Sequence, residues 1–161
     1  MKRAAKFLET RIPKRELTIV DVGHWGNPKP LRILNEKLPG KKKLVGVNDK
    51  PIAKEIKKKF PDKVDFKQGM AEKLPLEDNS VDIIINHKFW NSYMKNHVSA
   101  DELGEHFSEV HRVLKKDGHY VVAEYFAGNV AETPESAKKL LEKYHFKVIH
   151  LDRKLLIAKP A

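Results

Sequence analysis

The chain has 161 residues, and its 32 Lys and Arg residues outnumber its 22 Asp and Glu residues, which gives a formal net charge of +10. The absence of cysteine excludes disulfides, thiolate zinc sites, iron–sulfur clusters and a thiol nucleophile. Purely aliphatic runs such as residues 83–85 are too short for a membrane span or a signal peptide. We therefore expect a soluble, cytoplasmic protein without a membrane partner.

Lysine carries most of the positive charge, since the chain has 26 Lys and 6 Arg. Arginine makes the bidentate contacts to phosphate and guanine, so its scarcity argues against a nucleic-acid interface. Lysine and glutamate enrichment is typical of hyperthermophile surfaces, and we favour that interpretation. A nucleic-acid hypothesis is kept because of a basic amino-terminal segment with Lys2, Arg3, Lys6, Arg11, Lys14 and Arg15.

In chain order, the first predicted element is a short basic helix over residues 1–10. A buried strand follows at Leu17–Val22, because its residues are apolar, largely β-branched and bounded by glycine. Asn27, followed by proline, predicts the start of a helix with leucines at helical spacing. Residues 44–47 are predicted to form the second strand, and Asp49 to cap the helix after it.

The second half of the chain continues the alternation, with strands predicted at residues 64–66 and 81–85. A capping box at Ser99 opens a helix that we expect to end in the basic, glycine-containing stretch 115–118. A fifth strand is predicted at residues 119–123, and Thr133 begins the last helix. The predicted terminal hairpin comprises Phe146–Leu151 and residues 155–158.

This alternation predicts parallel strands joined by right-handed crossovers, with helices on both faces of the sheet. Since there is no linker or repeat, we expect one domain, residues 1–161, in which residues 1–16 form a basic helix or arm. Ligands bind such sheets beyond the carboxyl ends of the strands. The stretches at those ends are residues 21–27, 48–49, 68–72, 86–90 and 124–128.

Two stretches carry a family resemblance. Residues 64–82 read Val-Asp-Phe-Lys-Gln-Gly-Met-Ala-Glu-Lys-Leu-Pro-Leu-Glu-Asp-Asn-Ser-Val-Asp, and residues 109–119 read Glu-Val-His-Arg-Val-Leu-Lys-Lys-Asp-Gly-His. They resemble the Gly-Asp-Ala, Leu-Pro-Phe, Ser-Phe-Asp and Arg-Val-Leu-Lys-Pro-Gly-Gly motifs of class I S-adenosylmethionine-dependent methyltransferases of the small-molecule and lipid type. The resemblance implies an α/β, Rossmann-like methyltransferase fold. Its sheet is mostly parallel and seven-stranded, with an antiparallel last strand and helices on both faces.

The resemblance also implies S-adenosylmethionine as cofactor, bound at the strand ends. The residues that would line its site are Asp21, Gly23, His24, Trp25, Gly26, Asn48, Asp49, Gly69, Met70, Ala71 and Asn86. Trp25 stands where the family has the second glycine of Gly-x-Gly-x-Gly, so its side chain either fills the pocket or turns outward. Asn48 and Met70 replace the family's carboxylates with weaker, neutral acceptors, so we expect cofactor binding to be weakened or lost.

The catalytic residues are not identified by the sequence, but His87 is a candidate general base because a histidine titrates near neutral pH. Glu124 is the other titratable group expected beside the pocket. Asn86 and Phe89 have the spacing of an amine-binding Asn/Asp-Pro-Pro-Tyr/Phe motif, although both prolines are absent. The alternative is that Asn86 satisfies backbone groups at the strand end and that the aromatic residues after it cover the sheet edge.

Two other chemistries are not expected. His106 and His111 lie five residues apart without a His-Glu-x-x-His motif, so we predict a partly exposed helix surface rather than a metal site. Residues 21–26 lack the full Gly-x-Gly-x-x-Gly motif, and no Tyr-x-x-x-Lys dyad follows. These absences argue against a nicotinamide-dependent dehydrogenase.

The sequence supports three functional hypotheses. In the first, the protein transfers a methyl group from S-adenosylmethionine to an unidentified small-molecule or protein acceptor. In the second, it is a non-catalytic relative that acts as a partner-binding or regulatory subunit, with Trp25 plugging the former pocket. In the third, it binds or modifies nucleic acid. The sequence does not predict an oligomeric state.

Overall fold

A computed structural model of the chain describes residues 1–23, 29–52, 54, 58, 64–88, 100–123 and 133–161. The described helices and strands are α1 (Lys2–Leu8), β1 (Leu17–Val22), α2 (Lys29–Lys37), β2 (Lys42–Asn48), β3 (Val64–Gln68), β4 (Val81–His87), α3 (Ala100–Val113), β5 (Leu114–Ala123), α4 (Pro134–Lys143), β6 (Phe146–Leu151) and β7 (Leu155–Pro160). None of these helices combines the length and the apolar character needed to cross a membrane.

The strands form one seven-stranded sheet in the order β3-β2-β1-β4-β5-β7-β6. β1 pairs in parallel with β2 and β4, and the same direction continues outward to β3 and β5. Among the described strands, only β7 runs in the direction opposite to the other six. The predicted Rossmann-like sheet, mostly parallel with an antiparallel last strand, is therefore confirmed.

Helices cover both faces of the sheet, as predicted. On one face, α1 and α2 place Leu8 and Leu31 in a core with residues 17 and 19 of β1 and 83 and 85 of β4. On the other face, α3 and α4 place Phe107 and Leu141 in a core with the even-numbered residues of β1 and β5. Because successive residues of a strand point to opposite faces, a central strand must be apolar at nearly every position. This requirement explains the three consecutive isoleucines of β4.

The junction between α3 and β5 differs from the prediction. The helix ends at Val113 and the strand begins at the next residue, so the stretch 115–118 does not cap a helix. Val81 pairs with Leu114 whereas Ile83 pairs with His119, and the residues between these two pairs form an irregularity in the ladder. A Cβ atom at Gly118 would lie 2.9 Å from a Leu114 methyl group and from a backbone oxygen. The glycine is therefore required by close packing of the chain.

Other predicted boundaries shift by a few residues or cannot be compared. The amino-terminal helix is Lys2–Leu8 rather than residues 1–10, and β2 and β3 are longer than predicted. The predicted helix start at Asn27 lies outside the described residues. The same holds for Ser99 and for most of the helix predicted after Asp49.

Candidate functional site

The ends of β1, β2, β3 and β4 meet at one edge of the sheet, which we call the carboxyl edge. The chain order reverses between β1 and β4, which is the position where open α/β sheets bind ligands. The Gly23 amide donates to the Val47 carbonyl at 2.9 Å, and the Gly69 amide donates to the Asn48 carbonyl at 2.9 Å. These bonds bring together the stretches that follow the first three strands, as the sequence predicts.

Asp21 is a buried acid near the end of β1. Its side chain is fully buried, and neither carboxylate oxygen has a hydrogen-bond partner among the described residues. Burial raises its pKa well above the usual value, because the charged form loses its hydration. A buried polar group without a partner costs free energy. A cation or a hydrogen-bond donor supplied by a ligand would remove that cost.

The structure explains why two positions of the site are occupied by glycine. Gly23 has a φ of 73°, a left-handed conformation that side-chain-bearing residues rarely adopt. At Gly69, a Cβ atom would lie 2.5 Å from the Pro75 ring. Residues 69–71 can therefore pack closely against the loop that follows them only because no side chain is present at Gly69.

The polar groups after β2 and β3 are neutral or exposed. The Asn48 amide nitrogen donates to the Lys50 carbonyl at 3.2 Å, so its side-chain oxygen is the group able to accept a further bond. Asp49 is exposed, and its carbonyl accepts a 3.1 Å bond from the Gln68 side chain. The Met70 side chain is 60% exposed, an unusual position for a large apolar group.

A buried polar network lies on the face of the sheet opposite Asp21. The Asn86 amide nitrogen donates to the Val22 carbonyl at 3.2 Å, and its oxygen accepts a hydrogen bond from the Tyr120 hydroxyl. His106 Nε2 lies 2.9 Å from the same Asn86 oxygen, and His106 Nδ1 lies 3.1 Å from the Ala71 carbonyl oxygen. The network therefore joins the ends of β1 and β4 to α3 and to residues 69–71.

The prediction that His106 lies on a partly exposed helix surface is wrong. The residue is fully buried, and burial lowers its pKa to about 4. It follows Leu103 by three residues and precedes Val110 by four, which is the spacing of the buried face of α3. That spacing was the signal that sequence reasoning missed. His111 is half-buried, with its ring against Phe146 at 5.5 Å.

The remaining predicted residues are only partly described. His87 ends β4, pairs with Ala123 and is half-buried. The next residue, Lys88, has a φ of 58° and donates its amide to the Ala123 carbonyl at 2.9 Å, so the chain turns sharply after His87. Outside the described residues lie His24, Trp25, Gly26, Phe89 and Glu124. The described part of the chain contains no group of three metal-ligating side chains.

The two stretches of family resemblance contact each other. Glu109 accepts the Leu74 amide at 2.8 Å, and Arg112 donates to the carbonyls of Leu74 and Leu76 at 3.2 and 3.0 Å. The Arg112 guanidinium also lowers the pKa of Glu109, mainly through their hydrogen bonds. Helix α3 therefore holds the loop that follows residues 69–71 against the sheet.

The carboxyl edge is locally acidic although the chain is basic. Burial raises the pKa of Glu72, and three nearby carboxylates, those of Glu102, Glu105 and Asp49, raise it further. The negative potential of these groups favours a cationic ligand at this edge.

Comparisons with known sequences agree on one family. A family described as a methyltransferase domain matches residues 20–122 of the chain. An uncharacterised methyltransferase of Schizosaccharomyces pombe is 36% identical over 88 residues, which are 55% of this chain and 32% of that relative. The match thus spans about a third of the relative's own length.

Solved structures with the same fold include two methyltransferases. One is an S-adenosylmethionine-dependent methyltransferase of Methanosarcina mazei, with a TM-score of 0.73, 16% identity and 96% of each chain covered. The other is the 1,6-didemethyltoxoflavin-N1-methyltransferase of Burkholderia thailandensis, solved with S-adenosylhomocysteine bound. It has a TM-score of 0.73 and 14% identity, with 99% of this chain and 78% of that one covered. At these identities the likeness shows the fold.

Proposed function

The chain belongs to the methyltransferase domain family, and from this premise we propose that it binds S-adenosylmethionine at the carboxyl edge and transfers its methyl group to an unidentified acceptor. When bound, this cofactor supplies an electrophilic methyl group on a sulfonium. The observation that carries the proposal is Asp21, a buried acid without a partner among the described residues, at the point where the strand order reverses. The positive charges of the cofactor would compensate such an acid.

The described residues fit this cofactor in charge and in space. Asp21 supplies a carboxylate for a cationic group, and Gly23 leaves room beside the end of β1. The free oxygen of Asn48 can accept one hydrogen bond from a ribose hydroxyl. Charge-assisted hydrogen bonds are about twice as strong as neutral ones, so Asn48 and Met70 support a weaker cofactor site than two acids would.

His87 is the candidate general base in this proposal. It ends β4 beside β5 and is half-buried, so its imidazole can exchange protons with a bound acceptor or with water. Methyl transfer to an acceptor that is already a good nucleophile needs only that the two reactants be held close together. His87 would accept a proton only from an acceptor that must lose one, and we assign it no role in binding the cofactor.

Calorimetric titration with S-adenosylmethionine and S-adenosylhomocysteine tests the proposal. We expect saturable binding to the natural chain and at least about tenfold weaker binding to Asp21→Asn, because a carboxylate bond is worth more than a neutral one. Asp65→Asn removes an exposed carboxylate from β3, which is separated from β1 by β2, and is the charge-matched control, with unchanged affinity expected. Absence of binding at millimolar ligand would refute the proposal.

The same structure gives the nucleic-acid hypothesis no support. Arg3 forms an ion pair with Asp152, and Arg15 forms ion pairs with Asp82 and Asp117. These two arginines of the basic amino-terminal segment are therefore engaged within the chain. The non-catalytic hypothesis depends on Trp25, which lies outside the described residues. The titration decides that hypothesis, because a plugged pocket would bind neither ligand.

A further inference from the structure

His106 lies within α3, yet it contacts two stretches of the carboxyl edge. Its Nδ1 atom is 3.1 Å from the Ala71 carbonyl oxygen and its Nε2 atom is 2.9 Å from the side-chain oxygen of Asn86. We infer that His106 is a positioning residue for the cofactor site: its Nδ1–H group bonds the Ala71 carbonyl and so fixes residues 69–71 at the edge of the sheet. The inference rests on the proposed function, because that function assigns these residues to the cofactor.

The position of the ring proton follows from the groups around the imidazole. The Ala71 carbonyl can only accept, and the Asn86 oxygen also accepts because the amide nitrogen donates to the Val22 carbonyl. A neutral imidazole has one N–H group for these two oxygens. The ring is neutral near pH 7, since burial lowers its pKa to about 4.

Tyr120 decides which oxygen receives that proton. Its hydroxyl donates to the Asn86 oxygen and lies 3.3 Å from His106 Nε2. With the ring proton on Nδ1, the Ala71 carbonyl bonds to the ring and the Asn86 oxygen bonds to the tyrosine. The unprotonated Nε2 then lies 2.9 Å from the Asn86 oxygen, and the tyrosine hydroxyl bond to that oxygen offsets this unfavourable approach. With the proton on Nε2, the Ala71 carbonyl would face a nitrogen lone pair and lose its donor, which is unfavourable in a buried site.

Apart from the burial of Ala71 in the core and the packing of Gly69 on Pro75, residues 69–71 are held by few other described hydrogen bonds. The Gly69 amide bonds to the Asn48 carbonyl at 2.9 Å, and the Lys73 amide bonds back to the Met70 carbonyl at 3.2 Å. The Met70 side chain is 60% exposed, so it adds little packing. The bond from His106 is therefore the buried hydrogen bond that ties this segment to the helix layer on the same face of the sheet.

Two substitutions separate the bonds made by the two ring nitrogens. Asparagine places an amide near the position of Nδ1, whereas glutamine reaches the position of Nε2. His111→Asn, on the same helix, is the matched control, because the His111 ring packs against Phe146 and its Nε2 atom has no hydrogen-bond partner among the described residues. For each variant we would measure the Kd for S-adenosylhomocysteine, the melting temperature and the exchange rates of the Gly69 and Lys73 amide protons.

The two His106 variants should differ in ligand affinity and in amide exchange rates. His106→Asn keeps the affinity and both exchange rates within about threefold of the natural chain, while His106→Gln weakens binding and accelerates exchange by at least about tenfold. His111→Asn changes neither quantity. Nitrogen NMR shifts of the natural protein should place the His106 proton on Nδ1.

Several outcomes would overturn the inference. These are equal losses in His106→Asn and His106→Gln, exchange that accelerates equally throughout the core, or a ring proton on Nε2. If His106→Gln does not fold, Tyr120→Phe replaces it and should move the ring proton to Nε2 and accelerate exchange at Gly69. If the natural chain does not bind the ligand, the proposed function fails, and the exchange rates and the ring proton alone decide the role of His106.

Discussion

Two buried aspartates on neighbouring strands have opposite surroundings. Asp82, near the start of β4, accepts the Thr18 amide at 2.8 Å and the Lys115 ammonium at 2.9 Å, and it also accepts a bond from Arg15. Asp21, near the end of β1, has no hydrogen-bond partner among the described residues. The same residue type thus forms a satisfied charge cluster at one edge of the sheet and an uncompensated acid at the other.

The difference shows which edge contributes to stability and which edge is suited to a ligand. A buried carboxylate with partners adds to the free energy of unfolding only when those partners offset its dehydration. At the carboxyl edge that compensation is missing among the described residues, and perturbed acids of this kind are typical of functional sites. Stability and ligand binding are thus expected to respond differently to substitutions at the two aspartates.

The largest expected effect on stability is that of Asp82→Asn. It leaves Lys115 without its charged acceptor and Arg15 with only the exposed Asp117, so we expect a loss of about 2–3 kcal/mol in the free energy of unfolding. Urea unfolding at pH 7 measures it. Asp117→Asn, which removes an acid that is 60% exposed and also bonds Arg15, should cost less than about 0.5 kcal/mol. Equal losses of stability in both variants would contradict the prediction that the buried Asp82 stabilises the fold more than the exposed Asp117 does.

A second expected effect is that protonation of His106 makes the fold less stable at acidic pH. Its pKa is about 4 in the folded protein and 6.5 as the ordinary value, so between these pH values the unfolded state binds more protons. The free energy of unfolding should fall by up to roughly 3 kcal/mol on acidification through this range. Unfolding curves of the natural chain and of His106→Asn measure it, because the variant lacks this titration. Parallel pH profiles would contradict the prediction.

Asp21→Asn should stabilise the fold, whereas most substitutions of buried residues destabilise it. The raised pKa of Asp21 means that this acid destabilises the fold above the ordinary carboxyl range, so Asp21→Asn should raise the free energy of unfolding at pH 8. The gain should shrink as the pH falls towards the ordinary carboxyl range, where the unfolded chain also binds the proton. Thermal unfolding at several pH values measures it, with Asp65→Asn as the control. A destabilised Asp21→Asn protein would mean that the acid has a partner.

The smallest effect on stability is expected at Met70, where the resemblance implies an acid. Because the side chain is 60% exposed, Met70→Asp should change the free energy of unfolding by less than about 0.5 kcal/mol. Its affinity for S-adenosylhomocysteine should rise about tenfold through a charge-assisted bond, whereas Met70→Asn should gain little. A gain of equal size in both variants would contradict the role of charge.

Much of the fold follows from short-range patterns in the sequence. The apolar run of β4, the capping residue Thr133 and the strand before Gly23 all predict their elements correctly, because each depends on neighbouring residues. Asp21 was also identified, through the family resemblance, as the acid near the end of the first strand, although its unpartnered state was not predicted. The two motif stretches, residues 64–82 and 109–119, implied the order and direction of the strands.

What the sequence by itself determined is therefore the series of elements, the family and the edge of the sheet where a ligand would bind. Only the tertiary structure decided the environment of individual polar side chains. Asp82 is satisfied by groups from residues 15, 18 and 115, and His106 meets residues 71, 86 and 120. Such contacts depend on strand register and on helix packing between segments that are distant in the sequence, and local residue patterns do not specify which side chains meet.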